Sequence, residues 1–454
     1  MATNKENDTR KLVLTLLSEF DKGHDFYECQ KGLLDKYDYF EREKKAFIKR
    51  LSKGCVERQL ELDYIIGQFL KKNAKRPKAL IMNILRMGVY QLLFMDSVPD
   101  SACVNECVKL ARNHGFNDLS GFVNGVLRNI ARNKDKIQYP DRDKAFLDYV
   151  SVKYSLPMWL CEKWLSDYGK EVLLKMGESF LKENPVTVRF KRSLTDREIA
   201  QTIESIKEDV GIAKHAYDPY VYTLVNPGNI SRLKGFGEGL FTVQDVSGIL
   251  SVNALKLDKS KKVLDVCAAP GSKALYASEL CEKVTACDIS EARLMMLSEN
   301  IERMKASNIE IKQMDATCFN EDFAEKYDCV IADVPCSGLG VIGKKCDIKY
   351  NVTPDLIKEL SELQRKIASV AFKYVKKGGL FLYSTCTVNK EENENNARWI
   401  AENLPLSPVK LNEEDYKAVY GDLHDNKPVM DNTLTLIPGV TSSDGFFFAL
   451  FRRS

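Results

Sequence analysis

Val263-Leu264-Asp265-Val266-Cys267-Ala268-Ala269-Pro270-Gly271-Ser272-Lys273 runs an apolar strand into a turn of small residues and then into a helix. Such a turn lets the backbone approach a ligand at the carboxyl edge of a parallel sheet, where open α/β folds bind. The stretch lacks G-x-G-x-x-G, which disfavours a dinucleotide, and lacks G-K-[ST], which disfavours a nucleoside triphosphate. With no pyrophosphate to cradle, Cys267, Ala268, Ala269, Pro270, Gly271, Ser272 and Lys273 suit a ligand such as S-adenosylmethionine.

From Phe241 onward strands and helices alternate around that stretch, the pattern of a parallel sheet covered on both faces. Strands are expected at 263–268, 284–288, 310–315, 327–333 and 379–384, and helices at 273–281, 290–305, 355–377 and 390–403. Segments 434–437 and 446–451 read as a closing hairpin. Acidic residues end successive strands. Asp288, 23 residues after Asp265, is placed to take both ribose hydroxyls of a nucleoside, and Asp315 to accept from an adenine amino group.

Two cysteines stand at the ends of the next two strands, in Asp333-Val334-Pro335-Cys336-Ser337-Gly338 and in Ser384-Thr385-Cys386-Thr387, 50 positions apart. A thiolate is a soft nucleophile available near neutral pH. Added to carbon 6 of cytosine, it makes carbon 5 enamine-like and able to accept a methyl group. A carboxyl group that protonates or hydrogen-bonds N3 assists the attack, and Asp333 is placed for it. Loss of the carbon-5 proton then releases the enzyme. Spacing alone leaves open which thiol attacks. The other cysteines read as small buried hydrophobes.

The composition fits this picture. A length of 454 residues suggests about three domains of ~150 residues, and 44% hydrophobic with 29% charged residues describes a globular chain. The 13 cysteines are irregularly spaced and the N-terminus has no apolar signal core, so reduced thiols, no disulfide framework and a cytoplasmic location are expected. With no C-x-x-C pair and 4 His, no metal site is expected. No run approaches the ~18 apolar residues of a membrane span.

Charge is uneven. Residues 1–140 hold 25 Lys and Arg against 18 Asp and Glu, whereas the rest hold 42 against 46. Lys71, Lys72, Lys75, Arg76 and Lys78 form the densest basic cluster, a candidate phosphate-binding stretch. Apolar periodicity makes residues 9–133 helical throughout. Between 139 and 237 short alternating strands, 185–190 and 221–225, suggest a small α+β linker domain, with Arg189 a candidate RNA contact on an edge strand. The expected division is therefore 1–138, 139–237 and 238–454.

Residues 79–93 and 122–128 resemble the NusB-like helical RNA-binding domain. The catalytic third resembles the RNA cytosine-C5 methyltransferase family through Asp265–Lys273, Asp333–Gly340, Tyr383–Thr387, Phe241–Ser247 and Asp444-Gly445-Phe446-Phe447. The whole chain resembles the RsmB (Sun, Fmu) branch, which joins the two. The resemblance implies a multidomain fold: an all-α NusB-like bundle, a small α+β domain and a Rossmann-like class I S-adenosylmethionine-dependent methyltransferase domain. It implies that Cys386 is the nucleophile, that Cys336 assists release, and that the 267–273 loop, Asp288, Asp315 and Asp333 contact cofactor or base. It further implies a monomer acting on one cytosine of 16S ribosomal RNA. Ser272 stands where the family usually has Gly.

Alternatives fit less well. DNA cytosine methyltransferases use Pro-Cys-Gln, but Ser337 follows Cys336 here. Amino-group methyltransferases prefer Asp/Asn-Pro-Pro-aromatic, which Asp333–Cys336 does not offer. Another ribosomal cytosine or a transfer RNA stays open as the target, and a non-catalytic NusB-like antitermination factor would not need both thiols.

Overall fold

The computed structural model describes residues 8–71, 77–182, 185–208, 210–420 and 430–454. They form two compact units, the first of residues 1–181 and 345–351, the second of 182–344 and 352–454.

The first unit is helical: α1 (Thr9–Asp21), α2 (Phe26–Lys36), α3 (Arg42–Glu57), α4 (Gln59–Gln68), α5 (Ala79–Phe94), α6 (Asp100–Asn113), α7 (Asn117–Arg132), α8 (Phe146–Lys153) and α9 (Met158–Phe180). Every residue from Ile81 to Leu92 is buried. A helix apolar on all sides must lie at the centre of a bundle, and α5 packs against α1, α3, α4, α6 and α7. Its polar exceptions are paired: Arg86 donates to both Asp63 oxygens at 2.7 and 2.8 Å and to Asn83 Oδ1 at 2.9 Å. The returning segment, residues 345–351, carries a short helix, Ile348–Asn351. Cys346 joins the bundle core, and Lys349, 1% exposed, donates to the Glu57 carbonyl at 2.6 Å. Burial pulls the Lys349 ammonium down to about 8.

The second unit contains two sheets. The smaller has β1 (Val186–Phe190), β2 (Gly211–Lys214), β3 (Val221–Val225) and β4 (Phe241–Val243) in the antiparallel order β2-β3-β1-β4. It encloses Val188, Phe190, Leu224 and Phe241 with Ile199 and Ile206 of α10 (Asp196–Ile206). A helix, α11 (Val246–Asn253), leads to the larger sheet.

The larger sheet is built from β5 (Lys262–Asp265), β6 (Lys283–Asp288), β7 (Ile309–Gln313), β8 (Tyr327–Asp333), β9 (Val375–Thr385), β10 (Leu406–Pro408), β11 (Thr433–Leu436) and β12 (Phe446–Arg453), with α12 (Ser272–Leu280) and α13 (Glu291–Met304) as crossovers. The order is β10-β12-β9-β8-β5-β6-β7, with β11 beside β12. Strands β9 to β7 in that order are parallel, and β12 runs antiparallel to β9. Successive strand residues face opposite sides. Cys329, Ile331, Phe446 and Phe448 therefore enter the core shared with Ala274 and Leu297. Val330, Ala332, Phe447 and Ala449 enter the other, with Ile367 and Ile400. Burial on both faces explains the unbroken apolar runs Cys329–Ala332 and Phe446–Phe451.

The 434–437 and 446–451 segments pair as the expected hairpin, Leu436 opposite Phe446. Several expected boundaries move. The strand expected at 263–268 ends at Asp265 and the helix expected at 355–377 ends at Ala371. Strand β7 ends at Gln313, so Asp315 lies beyond it. Strand β9 starts at Val375 and not at 379, so Lys376 and Lys377, expected at the end of a helix, belong to it, with Gly378 at φ 76°. The helix expected at 390–403 is Glu394–Asn403. The compact units also cut the chain differently from the anticipated segments: α8 and α9 fall in the first unit, and the small sheet falls in the second.

Candidate active site

Strand β5 ends at Asp265, and the following turn passes over the end of β6 before entering α12. Gly271 is required there. Its φ is 108°, and a Cβ on it would lie 2.3 Å from Leu297 Cδ1. Ser272 is the first residue of α12, so a side chain is accommodated where the related turn carries glycine. Asp288, 2% exposed, accepts from the Ala269 amide at 3.3 Å and the Ser290 amide at 3.1 Å. Arg293 lies 3.5 Å from the Asp288 carboxylate and donates to the Ala269 carbonyl. The turn, Asp288 and Arg293 are thus one hydrogen-bonded cradle. Asp315 is separate, fastened to the Thr317 amide at 2.8 Å and hydroxyl at 2.7 Å. The hydroxyl bond holds its carboxyl below the usual carboxylate value.

Asp265 was not among the expected ligand-binding residues. It is 1% exposed and accepts from the Cys267 amide at 3.3 Å. Burial first, and then the neighbouring Asp333 charge, push its carboxyl up to about 7.

The ends of β8 and β9 are adjacent, with Asp333 in register opposite Ser384. Asp333 Oδ1 accepts from the Ser384 hydroxyl at 2.7 Å and Oδ2 from Lys273 Nζ at 2.7 Å. Burial works against the Lys273 ammonium, but Asp333 outweighs it and the net shift is upward. Lys273 Nζ also lies 4.8 Å from the centre of the Phe446 ring.

One residue beyond β9, Cys386 Sγ lies 3.1 Å from Cys336 Sγ, and the Cys386 amide donates to Cys336 Sγ at 3.3 Å. Both cysteines are half-buried and unbonded. The hydrogen bond from Cys336 holds the Cys386 thiol below its ordinary value against the effect of burial, with Lys273 assisting. The same bond, followed by burial, raises Cys336 far above its ordinary value. Of the two, Cys386 is the thiol favoured to ionise. Of the other cysteines outside the turn, eight are buried as expected, but Cys29 is half-buried and Cys318 exposed.

A buried polar network fixes the two cysteine loops to each other. Glu392, fully buried, accepts from the Ser337 amide at 2.9 Å, Gln364 Nε2 at 2.9 Å and Asn389 Nδ2 at 3.0 Å, and it bonds the Ser337 hydroxyl. Gln364 Nε2 also donates to the Pro335 carbonyl at 2.9 Å. Gly340 is packed too closely for any side chain: its Cβ would lie 2.2 Å from the Gly445 carbonyl oxygen and 2.8 Å from that of Cys386.

Beside the thiols is a cavity of about 140 Å³ whose lining includes Gln244, Asp245, Ser272, Lys273, Cys386, Asp444 and Phe446. Gln244, Asp245, Asp444 and Phe446 lie in the Phe241–Ser247 and Asp444–Phe447 stretches that carried the family resemblance, but nothing in their spacing gave them a role.

Lys71 and Lys78 are exposed in the helical unit, with Lys78 Nζ 5.6 Å from the Phe116 ring centre. Lys72, Lys75 and Arg76 lie outside the described residues. Arg189 requires a correction. Strand β1 is internal, not an edge, and Arg189 is 1% exposed. Its guanidinium bonds Gln244 Oε1 at 2.7 Å and Glu279 Oε1 at 2.8 Å, and Gln244 Nε2 donates to the Ser272 carbonyl at 3.0 Å. Through Gln244 it braces the 267–273 turn. Among the described residues no group of three or more His, Cys, Asp or Glu is placed to hold a metal, and no helix is long and apolar enough to cross a membrane.

Comparison with known proteins agrees with both units. Residues 252–452 match the family described as 16S rRNA methyltransferase RsmB/F, and residues 7–132 match the NusB family. The chain is 29% identical over 463 residues to the probable ribosomal RNA small subunit methyltransferase B of Bacillus subtilis, covering 99% of each. It is 30% identical to the Synechocystis protein of the same description, over 90% of this chain and 91% of the relative. The crystal structure of PH0851 superposes with a TM-score of 0.78 at 23% identity, covering 98% of this chain and 99% of that one, which is a likeness of fold.

Proposed function

Since the chain belongs to the ribosomal RNA small subunit methyltransferase B family and is therefore a methyltransferase, we propose that it methylates carbon 5 of a cytosine in 16S ribosomal RNA, using S-adenosylmethionine and a covalent Cys386 adduct. The observation that carries this reading is the thiol pair, 3.1 Å apart, beside the Asp333–Lys273 ion pair.

The 267–273 turn, with its glycine pressed against Leu297 and its amide on a buried acid, suits a nucleoside. Asp288 would take the ribose hydroxyls and Asp315 the adenine amino group. S-adenosylmethionine supplies an electrophilic methyl group on a sulfonium. Cys386, as thiolate, forms a bond to carbon 6. As the ring gains electron density a proton passes from the Lys273 ammonium through Asp333 to N3, leaving Lys273 as the neutral amine until the proton returns at release, so the electron pair displaced into the ring is not left as a bare charge. Carbon 5 then carries the electron density for methyl transfer.

The coupled thiols supply the next step. While Cys386 is anionic it keeps Cys336 protonated. Once Cys386 is bonded to carbon, that negative charge is gone and Cys336 can ionise, giving its proton to solvent as the one proton the overall reaction releases. Cys336 then serves as the base for the carbon-5 proton. The electrons of that C–H bond restore the ring double bond and expel Cys386 as thiolate, which returns the pair to its starting state. The Glu392 network keeps the two sulfurs in register throughout.

The test is incubation of the protein with 16S rRNA and methyl-labelled S-adenosylmethionine, followed by nucleoside mass spectrometry. The expected product is 5-methylcytidine at one position, mapped by bisulfite sequencing. Label in another nucleoside would overturn the reading.

A further inference from the structure

Lys344 Nζ lies between two carboxylates, 2.5 Å from Asp444 Oδ2 and 3.6 Å from Asp245 Oδ2. The three residues come from three segments: Asp245 caps α11 by accepting from the Ser247 amide at 3.0 Å, Lys344 follows the Cys336 loop, and Asp444 precedes β12. The catalytic steps above use none of them. Asp245 and Asp444 line the 140 Å³ cavity that Cys386 also lines, and Lys344 is not part of that lining.

The cavity therefore presents acceptors on this side. Two other polar side chains in its lining are already engaged. Lys273 donates to Asp333, and the Gln244 amide nitrogen and oxygen are taken by Ser272 and Arg189. A ring bonded at carbon 6 to Cys386 must bring N–H groups to such a wall. Cytosine has them in its exocyclic amine, whereas uracil carries an oxygen there and would meet lone pair with lone pair. Both pyrimidines can accept a thiolate at carbon 6, so the nucleophile cannot tell them apart. We propose that Asp245 and Asp444, held by Lys344, bind the exocyclic amino group of the target base and make the site select cytosine over uracil. This rests on the cytosine reading above. Burial, and then the Asp245 charge, push the Asp444 carboxyl up to about 7, and the Lys344 ammonium works against that rise.

The test uses a 16S rRNA fragment containing the mapped target as cytidine, uridine or 2′-deoxycytidine, and compares the protein with Asp444→Asn and Asp245→Asn. Unmodified protein is expected to prefer cytidine strongly. Each Asn presents an N–H to the base, so kcat/KM on cytidine should fall about 10- to 100-fold and the cytidine-to-uridine ratio should fall at least tenfold. S-adenosylmethionine affinity and the melting temperature, which report folding, should be unchanged. Asn keeps the cap of α11, so Asp245→Asn tests the idea if Asp444→Asn unfolds. A proportional loss on both bases, with the ratio unchanged, would overturn the proposal. So would altered discrimination against 2′-deoxycytidine alone, which would place the carboxylates on the ribose. No product from unmodified protein on cytidine would instead refute the cytosine reading itself.

Discussion

Cys336 Sγ stands 3.1 Å from Cys386 Sγ, beyond the ~2.05 Å of a disulfide bond and within reach of an S–H hydrogen bond. At that separation the two sulfurs act as one titrating unit. Ionisation of either suppresses that of the other, and bonding of one to carbon frees the other.

Substitution separates their roles. Cys386→Ala is expected to abolish methylation and to give no covalent complex. Cys336→Ala should still attack and transfer methyl but not release, leaving a protein–RNA adduct visible on a denaturing gel. A stable adduct from Cys386→Ala would reverse the two roles.

The thiol pair also sets a pH dependence. Cys386 is needed as thiolate, and its value lies below the ordinary one because Cys336 donates to it. Adduct formation should therefore rise with pH, with its midpoint below that of an ordinary free cysteine. In Cys336→Ala the donor is gone, so the midpoint should move to higher pH. Single-turnover adduct rates across the pH range would reveal it, and an unmoved midpoint would assign the lowered value to Lys273 alone.

At the other end of the site, Asp288→Ala should weaken S-adenosylmethionine binding by ~1.5–3 kcal/mol, about ten- to a hundred-fold. Titration calorimetry measures it. Unchanged affinity would move the cofactor off the end of β6.

Arg189→Ala distinguishes a brace from an RNA-binding residue. Removing a buried cation leaves Glu279 without its partner and should cost about 3 kcal/mol of stability. The dependence of RNA affinity on salt should not change, whereas removing a cation that neutralises a phosphate would flatten it.

The basic cluster predicts the opposite pattern. Replacing Lys71, Lys72, Lys75, Arg76 and Lys78 with Gln should reduce the salt slope of RNA binding by about 0.7–0.9 log units for each phosphate no longer neutralised and leave S-adenosylmethionine affinity intact. An unchanged slope would make the cluster a solvated loop.

The parallel sheet and the turn after β5 were legible because both depend on local pattern: unbroken apolar runs, a glycine among small residues, acids at strand ends. The burial of Arg189 was not. A five-residue alternating strand reads the same at the edge or in the middle of a sheet, and only pairing with both β3 and β4 settles which. The acceptor wall was hidden for a related reason. Asp245, Lys344 and Asp444 are about a hundred residues apart at each step, and no spacing rule links groups joined only by the fold.

The seven residues 345–351 make the helical unit discontinuous in sequence. Cys346 belongs to the bundle core and the Cys346 amide donates to the Tyr27 hydroxyl at 3.2 Å, so a place in that core is filled by a segment more than 300 residues away along the chain. A fragment ending at residue 181 would lack that segment and the bond it gives Tyr27. The unit has to be defined by its contacts and not by one cut in the sequence.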